Sequence, residues 1–330
     1  METELVIVGA GPTGLFATFV AGLRDIKSVT IDALSEPGGQ ITNLYPEKII
    51  YDMPGFPKIK GKDLAKTMYE QAKMFNSDIR LGYKVTDIIP RQDGKFDVEI
   101  NQNEMITAAS ILLCTGVGSF EPNKLGVKGE DEYYKKGVDY TAREFDTFKN
   151  KNVMIVGGGD SAFDFAQQIS SVAEKIYLVH HSDVFRAEER IIDIVKGLKN
   201  VQIITNTNVQ EIKGDGNKVI SAVLMNNKTN TAQELPVNQI VIATGHKIEP
   251  NAFKSIKLET TGRYIKVNNS YETSVKGIFA AGDIANVLDE PKFALLATGV
   301  AEAYIAVNNI KRYLKPTSSL MGEHSSNLKL

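Results

Sequence analysis

The sequence predicts an α/β protein built from two Rossmann-like βαβ domains. The stretches "LVIVGAGPTGLF" (residues 5–16) and "MIVGGGDSAFDF" (154–165) each run an apolar strand into a glycine turn and out into a helical pattern. The third observation is spacing. Asp32 lies 23 residues after Gly9, and His180 lies 23 after Gly157. One design used twice is an internal duplication of a βαβ unit, not a short-period solenoid.

Taken in order, "ELVIVGAGPTGLFATFVAGLRDIKSVTIDA" reads as strand, tight turn, helix over 13–23 and β-branched strand, and "VMIVGGGDSAFDFAQQISSVAEKIYLVHH" repeats it. A second echo pairs "ILLCTGVGSFEPNKL" (111–125) with "IVIATGHKIEPNAF" (240–253): an apolar strand, a Thr-Gly turn, then Glu-Pro-Asn. These pairs mark two crossings between domains, near 116–121 and 245–251. The expected boundaries are therefore 1–117 with 248–330 for one domain and 118–247 for the other. Strand-rich stretches such as "KFDVEI" and "KVISAVLM" fill the space between, and a helical run over 292–314 precedes a polar tail.

Bulk properties exclude several function classes. The 330 residues suffice for two cores, and 42% hydrophobic with 24% charged residues is ordinary for a globular chain. A net charge of −2 argues against nucleic acid or an anionic membrane as main partner. No apolar run approaches the roughly 20 residues needed to span a bilayer, and the N-terminus enters a strand at once, so a cytoplasmic protein is expected. The four histidines (180, 181, 246, 324) have no ligand spacing, so no metal site is expected. Cys114, the single cysteine, is flanked by apolar residues and reads as a buried thiol; alone it forms no internal disulfide.

In the first turn Gly9 permits the tight bend, Gly11 lets backbone approach a pyrophosphate, and Gly14 allows close helix–strand packing. The helix start, with Thr13, offers free N–H groups to phosphates, and Asp32 can bond ribose hydroxyls. The second turn, Gly157-Gly158-Gly159-Asp160-Ser161, has Ala162 at the third glycine position. His180 replaces the ribose-binding acid, and His181, Arg186 and Arg190 follow. No carboxylate there repels a ribose 2′-phosphate, which points to NADP(H), with a solvated basic rim as the plain alternative. Two such units plus "AAGDIA", where Asp283 follows a strand, indicate a flavoprotein; alone, Asp283 would read as a helix N-cap.

These residues, in this order, resemble two-domain flavoproteins of the thioredoxin reductase type over essentially the whole chain. That family keeps a Cys-x-x-Cys before its second glycine turn, whereas "VDYTAREFDTFKNKNVM" has no cysteine, so no dithiol relay operates. "EPGGQITNLYPEKIIYDMPGFPKI", "GGGDSAFDFA", "AAGDI" and the "HSS" tail are similar to the thioredoxin-reductase-like ferredoxin–NADP(+) reductases of bacteria. The resemblance implies FAD and NADP(H), with ferredoxin or flavodoxin as partner. It implies that Asp32 binds the adenosine ribose, Gln40 reaches the flavin, Tyr45 stacks on one face of the ring and Val85 contacts the adenine. Phe120 would line the flavin pocket, Asp283 would hold the ribityl and pyrophosphate side, His324 would cover the other flavin face, and Ser325 and Ser326 would lie at the ring edge.

The family is homodimeric with a crossing tail, so a homodimer is expected, with terminal disorder the plain alternative for the tail. Where the family carries His-Arg-Arg and Phe-Arg-Ala, this chain has "HHSDVFRA", keeping only Arg186; NADPH stays the first choice and NADH is also admitted. A hinge is expected near 118 and 247. Lys48, Lys58, Lys60 and Lys62 are either part of a basic docking face for an acidic ferredoxin or ordinary solvated lysines. The expected reaction is hydride transfer from NADPH to FAD and single-electron delivery to ferredoxin or flavodoxin. The alternatives are a diaphorase reducing flavin, quinone or iron chelates, and a non-catalytic redox sensor. Hydride transfer needs no general acid or base. A Ser325–His324–Asp283 triad is a poor reading, since no nucleophile elbow exists.

Overall fold

The computed structural model describes residues 1–101, 104–116, 122–142, 145–245, 253–287 and 291–319. It divides into two compact units, Met1–Ser119 with Ile248–Leu330, and Phe120–Lys247. The centres of the two crossings, with the hinge positions 118 and 247, lie outside the described residues.

In the first unit the strand Glu2–Val8 sits between Ser28–Asp32 and Glu104–Leu113, parallel to both, with Asp78–Leu81 parallel beyond Ser28–Asp32. An antiparallel meander, Val85–Pro90 and Phe96–Ile100, extends the other side, and Ile278–Ala280 lies parallel beside the end of Glu104–Leu113. Val8 is level with Ile31 and Leu113, and Leu113 with Ala280. The parallel strands therefore finish along one edge, where an open α/β sheet binds ligands. Leu5 and Ile7 are fully buried in one apolar cluster with the mutually packed helices Pro12–Leu23 and Leu296–Leu314, each such burial worth about 1.5–3 kcal/mol.

Pro12 starts its helix directly after the cap residue Gly11, where a missing N–H costs nothing. The last helix starts at Leu296 rather than within the 292–295 stretch of the apolar pattern. Leu295 is extended, its N–H donating to the Thr298 hydroxyl (3.3 Å), and Lys292 is drawn into an ion pair with Glu302. A local cap and a buried charge override the apolar pattern there.

The second unit has a parallel sheet in the order Val201–Ile204, Lys175–Val179, Asn152–Val156, Gln239–Ile242, Val138–Asp139. An antiparallel sheet of Thr207–Gly214, Val219–Asn226 and Ala232–Pro236 packs on it through a shared apolar cluster that includes Met154, Val209 and Leu224. Val156 is level with Val179 and Ile242, so Gly157, His180 and Ala243 leave the sheet together. Among the described residues no helix is long and apolar enough to cross a membrane.

Candidate functional site

At the strand ends of the first unit the glycines do what no other residue could. A Cβ on Gly9 (φ +109°) would lie 2.4 Å from the Cys114 carbonyl oxygen, and one on Gly14 would lie 1.8 Å from the Gly9 carbonyl oxygen. Gly11 would meet only the Gly39 Cα, at 3.9 Å, so the floor between the two turns is bare backbone. Around it stand the other side chains of interest. Asp32 accepts from the N–H groups of Ala10 (2.6 Å) and Leu34 (2.8 Å), which fixes its carboxylate at the rim. Burial pushes that carboxyl up from its ordinary value, and the two N–H groups partly offset the rise.

Gln40 Nε2 donates to Asp283 Oδ2 (3.0 Å) and faces Gly116, whose Cβ would lie 3.5 Å from it. Thr13 packs against Gly282 and Gly299, which approach its Oγ1 closely. Tyr45 is half-buried against the cluster of Leu15, Ile41 and Leu64, with Lys48 Nζ 5.8 Å from its ring centre. Val85 is buried at the start of a strand whose lead-in is fastened to the Asp32 segment, since the Tyr83 N–H donates to the Asp32 carbonyl (2.9 Å). The structure thus brings together Gly9, Gly11, Thr13, Gly14, Asp32, Gln40 and Asp283 at one sheet edge. Phe120, His324, Ser325 and Ser326 lie outside the described residues.

A bare backbone floor at a helix N-terminus, a fixed carboxylate at the end of the second strand and a Gln–Asp pair beyond it fit an adenine dinucleotide. The second unit repeats the floor: Gly157 presses on the Ala243 carbonyl oxygen (2.4 Å from a built Cβ), as Gly9 does on Cys114, and a Cβ on Gly159 would meet nothing within 4 Å. There the partner of the turn differs. A Cβ on Gly158 would fall 2.4 Å from Cε1 of His180, so the imidazole occupies the space of the missing side chain. His180 is 8% exposed, lies 5.5 Å from the Phe185 ring and bonds the Val184 carbonyl through Nε2 (3.2 Å). Burial, then His181 and Arg186, push its pKa down, so the ring is neutral.

His181, Arg186 and Arg190 are exposed on the loop and the helix that follow, as is Ser161 at the start of its helix. Asp160 is engaged: its Oδ1 accepts from the Glu188 N–H (2.9 Å), and the Arg186 N–H donates to the Gly158 carbonyl (2.8 Å). Both bonds fasten the basic loop to the glycine turn.

Two features went unread in the sequence. Lys228 Nζ pairs with Asp183 (2.9 Å), and Asn227 Nδ2 donates to the His181 carbonyl (3.0 Å), so a hairpin turn flanks the 181–186 loop. Glu302 lies buried behind Gly282; only the break in the apolar pattern of its helix could have flagged it. Lys60 and Lys62 both pair with Glu47 (3.0 and 2.6 Å), which holds the Glu47 carboxyl below its usual range.

The family model for pyridine nucleotide-disulphide oxidoreductases matches residues 3–308. The chain belongs to that family. It is an oxidoreductase, and the family's fold of two Rossmann-like units is the one described above. Among its relatives, a protein of Picrophilus torridus named ferredoxin–NADP reductase is 47% identical over 100% of this chain and 99% of its own. Another of that name, numbered 2, from Sulfolobus acidocaldarius is 44% identical over 99% of this chain and 98% of its own. The thioredoxin reductase of T. acidophilum superposes with a TM-score of 0.81 at 28% identity, covering 96% of this chain and 99% of that one. The resemblance read from the motifs is borne out. With Cys114 as the single cysteine, this member of the family carries no internal disulphide, and Cys114 itself is buried with its thiol pKa pushed well up by burial.

Proposed function

We propose that this oxidoreductase holds FAD on the Gly9–Gly14 turn and NADPH on the Gly157–Gly159 turn, and passes electrons from NADPH to ferredoxin or flavodoxin. The observation that carries the reading is the contrast between the turns: a fixed carboxylate, Asp32, at one and a neutral, buried imidazole, His180, at the other. A carboxylate suits free ribose hydroxyls; its replacement by an uncharged ring beside Arg186 suits a 2′-phosphate. When bound, FAD supplies a ring that accepts hydride and releases electrons one at a time.

The protein's part is to bind and orient. Gly11 and the helix start meet the pyrophosphate through backbone N–H groups, Asp32 receives ribose hydroxyls, and Gln40 and Asp283 hold the far side as one hydrogen-bonded pair. Val85 bounds the adenine, and Tyr45 gives a ring to stack on the flavin. Phe120, His324, Ser325 and Ser326 complete the pocket in this reading. On the nucleotide side Gly157, Gly158, Gly159 and Ser161 face the pyrophosphate, Asp160 braces the loop, and His181, Arg186 and Arg190 face the 2′-phosphate. A homodimer is part of the proposal. Phe293, Leu295, Tyr304 and Ile305 put exposed apolar surface on and before the last helix, 40–68% accessible in this single chain.

The pairing of Lys60 and Lys62 with Glu47 favours a second reading of the acceptor, a diaphorase with a neutral or small substrate, because it sets a carboxylate within the basic face offered to an acidic protein. Anaerobic stopped-flow mixing with NADPH or NADH, followed by ferredoxin, separates the two. Rapid bleaching of the flavin by NADPH and rapid reoxidation by ferredoxin are expected. Rapid bleaching with slow ferredoxin turnover would transfer the assignment to the diaphorase, and no bleaching by either nucleotide would overturn both.

A further inference from the structure

We propose that Glu302 and Lys292 form a buried latch that positions Gly282 and Asp283 for FAD, a role that rests on the flavoprotein reading above. Glu302 Oε2 accepts from the Gly282 N–H (2.7 Å), while its Oε1 accepts from Lys292 Nζ (2.6 Å). The two side chains are 12% and 7% exposed, so the pair is nearly desolvated. Such a pair is a poor source of net stability, because taking two charges out of water offsets their attraction. Its geometry gives it a different task.

Gly282 is in the left-handed region (φ +79°) and pressed against Thr13; it has no side chain to anchor, so it is held through its backbone, while Ala281, Ile284 and Ala285 around it are buried. The Ala281 N–H on the Leu113 carbonyl (3.0 Å) and the Ile265 N–H on the Ile284 carbonyl (2.7 Å) tie the two ends of the turn to neighbouring strands. At its centre the Gly282 N–H is on Glu302 and the Ala285 N–H on the Gly282 carbonyl (2.9 Å). Asp283 in turn accepts from Gln40 (3.0 Å). A line of contacts therefore runs Lys292, Glu302, Gly282, Asp283, Gln40, from the segment before the last helix to the bare floor at Gly11. Glu302 touches neither floor nor ligand path itself; it is a positioning residue. Lys292 fixes which way its carboxylate turns, since one oxygen bound to the ammonium leaves the other for Gly282.

Removing one partner alone strands a buried charge and risks the fold, so the test uses two double variants. Glu302→Gln/Lys292→Met keeps an acceptor for the Gly282 N–H and removes both charges. Glu302→Met/Lys292→Met removes the acceptor too. FAD dissociation constants, measured by flavin fluorescence on deflavinated protein, are expected to rise only about two- to three-fold for the first, whose amide still accepts from Gly282 but is no longer steered by the ammonium. For the second they are expected to rise about ten-fold, the effect of losing one well-placed buried hydrogen bond. The visible absorption of bound flavin should shift only in the second. Equal FAD affinity in both doubles and the wild type, with thermal midpoints lowered together, would make the latch merely structural and overturn the proposal. Wild-type protein that takes up no FAD would overturn the flavoprotein reading beneath it, a distinguishable result.

Discussion

The imidazole of His180 stands where a side chain at Gly158 would be. At the matching place in the first unit, Ala10 keeps its methyl group and donates its N–H to the carboxylate of Asp32 (2.6 Å). The two turns thus solve one problem, bracing the glycine loop against the next strand, with a hydrogen bond in one case and a packed ring in the other. Gly158→Ala should overpack the second unit, with a destabilisation of about 1–3 kcal/mol, while leaving FAD content unchanged. Adding His180→Ala should restore much of the loss. A double-mutant cycle read by thermal unfolding checks this, and additive losses would show that the ring and the turn do not meet.

The same histidine sets a pH dependence. Its folded-state pKa lies below the ordinary 6.5, so the unfolded chain binds the proton more readily. Its neutral form supports the fold fully above that ordinary value, and the support is lost as pH falls from there through the lowered one. Wild-type stability should therefore decline with acidification in that window, and more steeply than in His180→Phe. Parallel slopes in chemical denaturation at several pH values would count against this.

Nucleotide preference should be divided between Arg186 and the Asp183–Lys228 pair. Arg186→Ala is expected to weaken 2′,5′-ADP binding about ten-fold while leaving 5′-AMP nearly unaffected. Lys228→Met should cost less, because the exposed pair with Asp183 is screened and weak. Asp183→Asn should tighten 2′,5′-ADP slightly by removing a carboxylate from beside the phosphate-binding loop. Titration calorimetry with both nucleotides reads all three variants. Equal effects on 2′,5′-ADP and 5′-AMP would remove this loop from 2′-phosphate recognition.

Asp32 should serve twice. Asp32→Ala strands the N–H groups of Ala10 and Leu34, a cost of about 1–3 kcal/mol to the first unit, and should also raise the FAD dissociation constant. Asp32→Asn, which keeps an acceptor, should fall between the two. A variant that loses stability yet holds FAD as tightly as the wild type would confine Asp32 to bracing the turn.

What was legible in the sequence was what sterics alone require. Gly9 and Gly157 lie against carbonyl oxygens of the neighbouring strand, and no other residue fits, so the turns, their strands and the 23-residue spacing could be read from local pattern. The direction of a side chain could not. The pattern puts His180 among residues facing the nucleotide, whereas its ring is folded under the turn, because Phe185 and Gly158 offer an apolar bed. The apolar pattern makes Lys292 a helical residue, although a buried glutamate ten positions on pairs with it outside the helix. For Lys60 and Lys62 the sequence leaves a docking face and a solvated surface equally open, and neither alternative includes Glu47, which the short pairing of Ile49–Ile50 with Ile59–Lys60 brings beside them. Pairings across a fold depend on which segments dock, and composition says nothing about that.

The placement of Cys114, packed under the Gly9–Gly14 turn with its thiol sealed from solvent, turns the chain's single sulfhydryl into an internal clock for opening. Maleimides, which alkylate an exposed thiol, should leave the folded protein untouched. They should label it stoichiometrically only as fast as the first unit unfolds, so the alkylation rate in native buffer becomes a direct readout of how often that core breathes.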